Sequence, residues 1–334
     1  MKLLKKIGIV LLVLLVLFVA AIFLVPQTFQ VSVTQKIDSK PSTLYNIVSN
    51  VTLEKYWNPW QQQDTTMKST YGEITKGEGA SYSWESKKMG SGRAEQVESI
   101  KNQKIVTNLD FGSMGEGVAN HIFEEDGQGT NMTWTLESKT TRPNNLMNIL
   151  IKGEVKRSYR KGMENLAKLA KEREQQGLYR GYQVKEELLT DKHYLTRRDV
   201  VKMEDVPKFF AQSLGPLFKM IQKGGVEMDG PQTGLVYNHD PAKNELDIAA
   251  ALPVSQRVNI KGAESESFPT RRALVVDYYG DPAGTTIVHD AIDEYMADRD
   301  LHFDWPVVEE YVTDPADEPN QEKWLTRVIY YLSE

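Results

Sequence analysis

Residues 305–315 read WPVVEEYVTDP, and residues 322–332 read EKWLTRVIYYL. β-Branched and aromatic residues crowd both stretches and Asp314-Pro315 separates them, which predicts two strands joined by a turn. The pattern has an earlier copy. Tyr237-Asn238-His239-Asp240-Pro241 precedes Tyr311-Val312-Thr313-Asp314-Pro315 by 74 residues, so both read Y-x-x-D-P. Each copy has a strand upstream, Lys192–Val201 or Arg271–Tyr279. A helix comes next, with Val206, Phe209, Phe210, Leu217, Phe218 and Ile221 in one copy and Ile287, Val288, Ile292, Tyr295 and Met296 in the other. A further strand closes each copy, Leu246–Leu252 or Leu325–Leu332. Strand, helix and hairpin written twice predict an α+β domain with pseudo-twofold symmetry over residues 177–334.

Within the second copy, a period of two sends Glu309 and Tyr311 to one face of the strand and Glu310 to the other. A carboxylate among aromatic rings can pair with a cation, or act as a general acid or base once burial raises its pKa. It can equally be a solvated carboxylate beside core tyrosines.

This order of elements resembles the GyrI-like, AraC-type effector-binding domain, most specifically at WPVVEEYVTDP and EKWLTRVIYYL. The resemblance implies a small-molecule cleft between the repeats, with aromatic walls and an acidic residue suited to lipophilic cations. It places that acid, from the family's E-x-Y, on Glu309, with Tyr311 two residues later. Trp305, Trp324, Tyr278 and Phe209 are the further candidates for the walls. Some stand-alone members look like hydrolases, which would give Glu309 and Tyr311 catalytic roles. Regulators of this type carry a helix-turn-helix module; this chain shows none, which weighs against transcriptional control.

Residues 27–176 have another rhythm. Thr28 to Thr34 alternates as a half-buried strand should, and Pro41-Ser42 opens a short helix with Leu44, Ile47 and Val48 on one face. Glycine-rich turns at Gly77–Gly79, Gly90–Gly92, Gly112–Gly117 and Asp126–Gly129 mark further strands. The last separates His121-Ile122-Phe123 from Met132 to Leu136, an antiparallel hairpin. From Asn145 to about Glu174 the period is helical, with Leu146, Ile149, Leu150, Tyr159, Met163, Leu166 and Leu169 near one face. Together with YWNPW, GEGASYSW, GTNMTW and YRKGMENLAKL, this order resembles the START-like, polyketide cyclase/dehydrase superfamily (SRPBCC). That resemblance implies a helix-grip fold in which a long C-terminal helix packs into a curved antiparallel sheet, often around a hydrophobic cavity. Trp57, Trp60, Trp84, Phe111, Phe123 and Trp134 are candidates for its lining, or ordinary core. Lys152, Lys156, Arg157, Arg160 and Lys161 are expected on the solvated face of the helix, where they could also meet anionic lipid heads.

Lys2, Lys5 and Lys6 precede nineteen residues, Ile7 to Val25, without a charge. As a helix this segment spans about 28 Å, close to the hydrocarbon thickness of a bilayer. It predicts an uncleaved transmembrane signal anchor over residues 1–26, lysines in the cytoplasm and both domains outside.

Composition narrows the function. With 40 basic and 46 acidic residues the net charge is −6, a poor balance for nucleic-acid binding. The charge is uneven: residues 27–176 hold 20 basic and 18 acidic groups, and residues 177–334 hold 17 and 28. There is no cysteine, hence no thiolate nucleophile or thiolate metal site. No two of the five histidines pair at helical ligand spacing, so no metal and no cofactor is expected. His289-Asp290 and His302-x-Asp304 are expected to be surface pairs. The combined expectation is a membrane-anchored binder, sensor or carrier of small hydrophobic or cationic molecules at the cell envelope. The alternatives are a hydrolase working through Glu309, or an envelope interaction scaffold with filled pockets.

Overall fold

The computed structural model describes residues 2–333, with side chains from Lys5 onward; Met1, Glu334 and the side chain of Lys2, which belong to the expected anchor and last domain, lie outside the described residues. The chain divides into two compact units, Met1–Glu174 and Gln175–Glu334.

The N-terminal unit begins with α1 (Lys2–Leu24), whose stretch Lys5–Leu24 is long and apolar enough to cross a membrane. After Pro26 comes β1 (Thr28–Ile37), with Val31, Val33 and Ile37 buried. Three short helices follow: α2 (Pro41–Ser49), α3 (Glu54–Trp57) and α4 (Pro59–Gln63). Pro41 and Pro59 occupy first-turn positions, where a missing N–H loses nothing, and Asn58 caps α4 by accepting from the Trp60 amide at 3.0 Å. Then come β2 (Lys68–Tyr71), β3 (Ser81–Ser86), β4 (Gly90–Ile100), β5 (Lys104–Asp110), β6 (Gly115–Asp126) and β7 (Gly129–Thr140). They form one antiparallel sheet in the order β1-β7-β6-β5-β4-β3-β2. Helix α5 (Asn148–Gln176) lays Tyr159, Met163, Leu166 and Ala170 into the core against Val31, Phe123, Met132 and Trp134. This is the expected grip of a curled antiparallel sheet on a long helix.

Two local expectations fail. Gly90–Gly92 is not a turn, since β4 starts at Gly90 and the turn is Lys87–Met89. Gly92 is instead a close approach: a Cβ there would lie 2.4 Å from the Trp84 indole. Ile149 and Leu150 do not join the buried face of α5; they are 69% and 70% exposed. The inward positions at this end go to asparagines that satisfy the carbonyls ending α1. Asn145 Nδ2 donates to the Ile22 and Val25 carbonyls at 2.7 and 2.8 Å, and Asn148 Nδ2 to that of Pro26 at 3.0 Å.

The C-terminal unit opens with a small hairpin, β8 (Leu178–Tyr179) and β9 (Tyr182–Gln183). The first repeat follows β10 (Lys185–Leu189) and comprises β11 (Lys192–Lys202), α6 (Val206–Lys223), β12 (Thr233–Asp240) and β13 (Glu245–Val254). After β14 (Glu264–Phe268), the second comprises β15 (Arg271–Tyr279), α7 (Thr286–Arg299), β16 (Phe303–Tyr311) and β17 (Leu325–Leu332). The sheet order is β10-β15-β17-β16-β12-β13-β11-β14, so the six repeat strands read the same from either edge and β16 meets β12 at the centre. Leu217 and Ile221 of α6 pack on Leu195 and Leu252, while Val288 and Ile292 of α7 pack on Leu274 and Val328. Val236 touches both helical clusters, so both helices cover one face. The other face carries Tyr194, Leu235, Val308 and Tyr331.

At the central seam Gly234 lies opposite Glu309 and Leu235 opposite Val308. Directly opposed residues share a face. Residues 74 apart therefore point to opposite faces here, and the two Y-x-x-D-P copies are not equivalent in space. Pairing of β12 with β13 passes from Val236 to Asn238 while β13 advances by one residue, leaving Tyr237 as an extra residue in a bulge. Tyr237 bonds Glu266 and lies 3.5 Å from the Arg198 guanidinium, whereas Tyr311 meets Phe210 of α6.

Candidate functional site

The helix-covered face brings Glu309 and Tyr311 together, with partners the sequence reading did not include. The Glu309 side chain is 14% exposed. Its Oε1 accepts from His289 Nε2 at 2.8 Å, and its Oε2 accepts from the Tyr311 hydroxyl at 2.9 Å. Thr285 Oγ1 stands 3.2 Å from Oε1 and 2.9 Å from the Pro282 carbonyl, and its single proton can serve one of them at a time. The Tyr330 hydroxyl lies 3.0 Å from His289 Nδ1, so the ring is held between Tyr330 and Glu309.

Local sequence makes this arrangement. Asp281 accepts from the Ala283 amide and starts the turn Pro282–Gly284 that leads into α7. Thr285, His289, Ile292 and Met296 then fall at helical spacing on the face of α7 turned to the sheet. Burial and the Glu309 carboxylate push the Tyr311 phenol well above its usual pKa, so it stays a donor. Phe210 meets Tyr311 edge-on at 5.8 Å, and Phe209 meets Phe210 at the same distance. Gly234 lets the side chains pack closely on the seam, because a Cβ there would stand 3.1 Å from both the Phe210 ring and the Tyr311 oxygen.

His289 is thus no surface histidine. Asp290 does face outward, pairing with Arg180 at 3.0 Å, while His289 turns inward. The missed signal was its place on the apolar stripe of α7. Of the remaining candidates, Phe209 joins through Phe210, and Tyr278 lies against the Pro282–Gly284 turn and tilts on Tyr182 at 6.0 Å. Trp305 packs on Phe303 and is half exposed, and Trp324 donates to the Glu318 carbonyl at 2.7 Å.

The neighbouring Glu310 differs. It is buried on the other face, where burial raises its pKa and Arg327 stands 3.5 Å away as counter-ion. Glu309 has no lysine or arginine within 4 Å among the described residues; its ionisable contacts there are His289 and Tyr311.

The N-terminal unit fills the space between α5 and the sheet with rings. Trp134 stacks on Tyr159 at 3.9 Å, Trp57 meets Trp134 edge-on at 5.5 Å, and His121 lies 4.7 Å from Trp134. Phe123 is buried in the same core and Trp60 packs beside it, whereas Trp84 and Phe111 belong to a separate contact at 6.1 Å. Both ring nitrogens of His121 and the indole nitrogens of Trp57 and Trp134 are buried without a hydrogen-bond partner. Burial lowers the His121 pKa to about 3. Glu54, buried on α3, accepts from Tyr82 at 2.5 Å and Asn58 at 2.6 Å, yet burial still lifts its pKa to about 7. Among the described residues no cluster of three or more histidines and carboxylates could hold a metal ion.

These two units are therefore a helix-grip α+β fold and a duplicated α+β sheet with both helices on one face. Residues 28–171 match the model of the family described as polyketide cyclase/dehydrase and lipid transport. Among curated proteins none matches the sequence. Solved structures similar to the chain include the EcmrR C-terminal domain, at 13% identity and a TM-score of 0.41, covering 46% of this chain and 98% of that one. A protein of unknown function from Staphylococcus aureus, SA2116, is 15% identical with a TM-score of 0.36, covering 45% of this chain and 97% of that one.

Proposed function

We propose that the chain is a membrane-anchored small-molecule binding protein whose C-terminal unit takes the cationic end of a lipophilic ligand at Glu309. The observation that carries this reading is a nearly buried carboxylate, held by Tyr311 and His289, with no lysine or arginine within 4 Å among the described residues. Oε2 spends one of its two acceptor positions on Tyr311, whose ring meets Phe210, so a desolvated cation taken up at Oε2 would gain from charge and from π faces. The excess of 28 acidic over 17 basic residues in 177–334 favours the same ligand sign. The N-terminal unit, with its match to a lipid-transport family, supports an apolar ligand, and α1 supports anchoring with the lysines in the cytoplasm.

Titration of the full chain with tetraphenylphosphonium tests the site. Glu309→Gln keeps the size and shape of the side chain and removes the charge, and a loss of about tenfold or more in affinity is expected. Equal affinity in the two proteins would reject Glu309 as the receptor.

The chain Tyr330–His289–Glu309 favours a second reading, in which the carboxylate is a general base whose orientation His289 fixes and the reaction is hydrolysis of a small electrophile. Turnover that survives Glu309→Gln would remove it.

A further inference from the structure

Three residues around the start of α5, Met147 just before it and Ile149 and Leu150 in its first turn, point into solvent where a soluble helix would carry polar groups, at 53%, 69% and 70% exposure. Their position gives them a use. Asn145 and Asn148 hold the beginning of α5 against the end of α1 by hydrogen bonds to Ile22, Val25 and Pro26, and Arg142 adds a bond to the Ile22 carbonyl at 3.2 Å while its guanidinium stands 5.1 Å from the Phe23 ring. The apolar side chains therefore sit within about one helical turn, roughly 5 Å, of the point where the span leaves the hydrocarbon. The headgroup layer on each side of a bilayer is about 5–8 Å deep. Ile149, Lys152 and Lys156 follow one another at helical spacing, so the apolar tip continues into a basic stripe. Between residues 142 and 161 there are six basic residues and one acidic, a net of +5 in a chain of net −6. A groove of about 440 Å³ at the same junction is bordered by Val25, Pro26, Phe29, Ile149 and Lys152.

We propose that the first turns of α5 are a membrane-docking face: Met147, Ile149 and Leu150 enter the headgroup–acyl boundary, and Lys152 and Lys156 lie on the phosphates of anionic phospholipid. The inference rests on the reading of α1 as a membrane span. The occupant is fixed by continuity with that span and by charge. An apolar tip rimmed by lysines matches the layered chemistry of a bilayer edge, where long basic side chains bury their stems and keep their charges at the phosphates. Docking here would tie the helix that closes the N-terminal unit directly to the lipid surface.

The sequence has no cysteine, so single cysteines can be labelled with an environment-sensitive dye in the full chain. The chain is placed in nanodiscs of phosphatidylcholine, with or without phosphatidylglycerol, and quenching by headgroup- and acyl-spin-labelled lipid is read. Labels go at Leu14→Cys in the span, at Leu150→Cys, and at Gln128→Cys in the β6–β7 turn, eleven or more strand residues, about 36 Å, from the junction. Quenching at positions 14 and 150 but not at 128 is the expected result. Quenching at 14 with none at 150 would overturn the docking face while leaving the anchor intact, and none at either would overturn the anchor and the docking face together. In discs containing phosphatidylglycerol, adding Lys152→Gln and Lys156→Gln should remove roughly half or more of the quenching at 150. An unchanged signal would reject the phosphate contacts.

Discussion

The two units bury polar chemistry in opposite ways. In the N-terminal unit His121, Trp57 and Trp134 place four ring nitrogens out of water and give them no partner. In the C-terminal unit Glu309 is almost as deep, yet both of its oxygens are occupied and the histidine that holds it is held in turn by Tyr330. Unsatisfied groups make the fold depend on staying neutral, whereas satisfied ones let it carry a charge inside. The first arrangement should show itself in how stability follows pH, the second in how ligand affinity follows single substitutions.

The largest effect is expected at His121. Its folded pKa, about 3, lies below the unfolded value of 6.5. The unfolded chain therefore binds the extra proton, and stability is full above pH 6.5 and lost as pH falls towards 3, by about 5 kcal/mol over the window. Urea unfolding at several pH values should show this slope in the difference between wild type and His121→Phe, most plainly below pH 4.5; a difference that does not change with pH would refute the buried neutral imidazole. Glu54 works in the other direction. Its folded pKa, about 7, lies above the unfolded value of 4.5, so the folded chain binds the extra proton and stability falls as pH rises from 4.5 to 7, by about 3 kcal/mol. Glu54→Gln should remove that decline.

In the C-terminal unit the effects are smaller and local. Gly234→Ala pushes a methyl against Phe210 and Tyr311, and should cost about 1–3 kcal/mol in thermal stability by overpacking. It should also weaken tetraphenylphosphonium binding, because Tyr311 must move. Thr285→Val removes a hydroxyl whose one proton is already divided between Glu309 and Pro282, so a loss of about 1 kcal/mol or less is expected in the same melts. If Thr285→Val proved costlier than Gly234→Ala, the steric account of the seam would be wrong.

Much of this architecture could be read from residues. The apolar run before Pro26, the alternation from Thr28, the helical period around Tyr159 to Leu166 and the strand–helix–hairpin unit written twice all set their elements directly. Strand parity put Glu309 and Tyr311 on one face, and the family resemblance singled them out. What escaped depends on single residues. The bulge at Tyr237 changes parity without changing the pattern of strand-forming side chains, so the Y-x-x-D-P match promised an equivalence that the sheet does not keep. His289 has a charged neighbour that suggested the surface, and only the facing strand, far away in sequence, draws it inward. Ile149 and Leu150 match the helical period as well as Tyr159 does, and periodicity cannot tell which end of a helix overhangs its sheet.

The register at the central seam also bears on valence. A sheet with faithful twofold repetition would offer two like seats for a ligand. Here the residue 74 positions before Glu309 is Leu235, sealed among Tyr194, Ala249 and Val308 on the opposite side. On the proposed reading of Glu309, the C-terminal unit therefore offers a cation one seat and not two. Its titration should saturate at one equivalent per chain, with a single affinity and no cooperativity to explain.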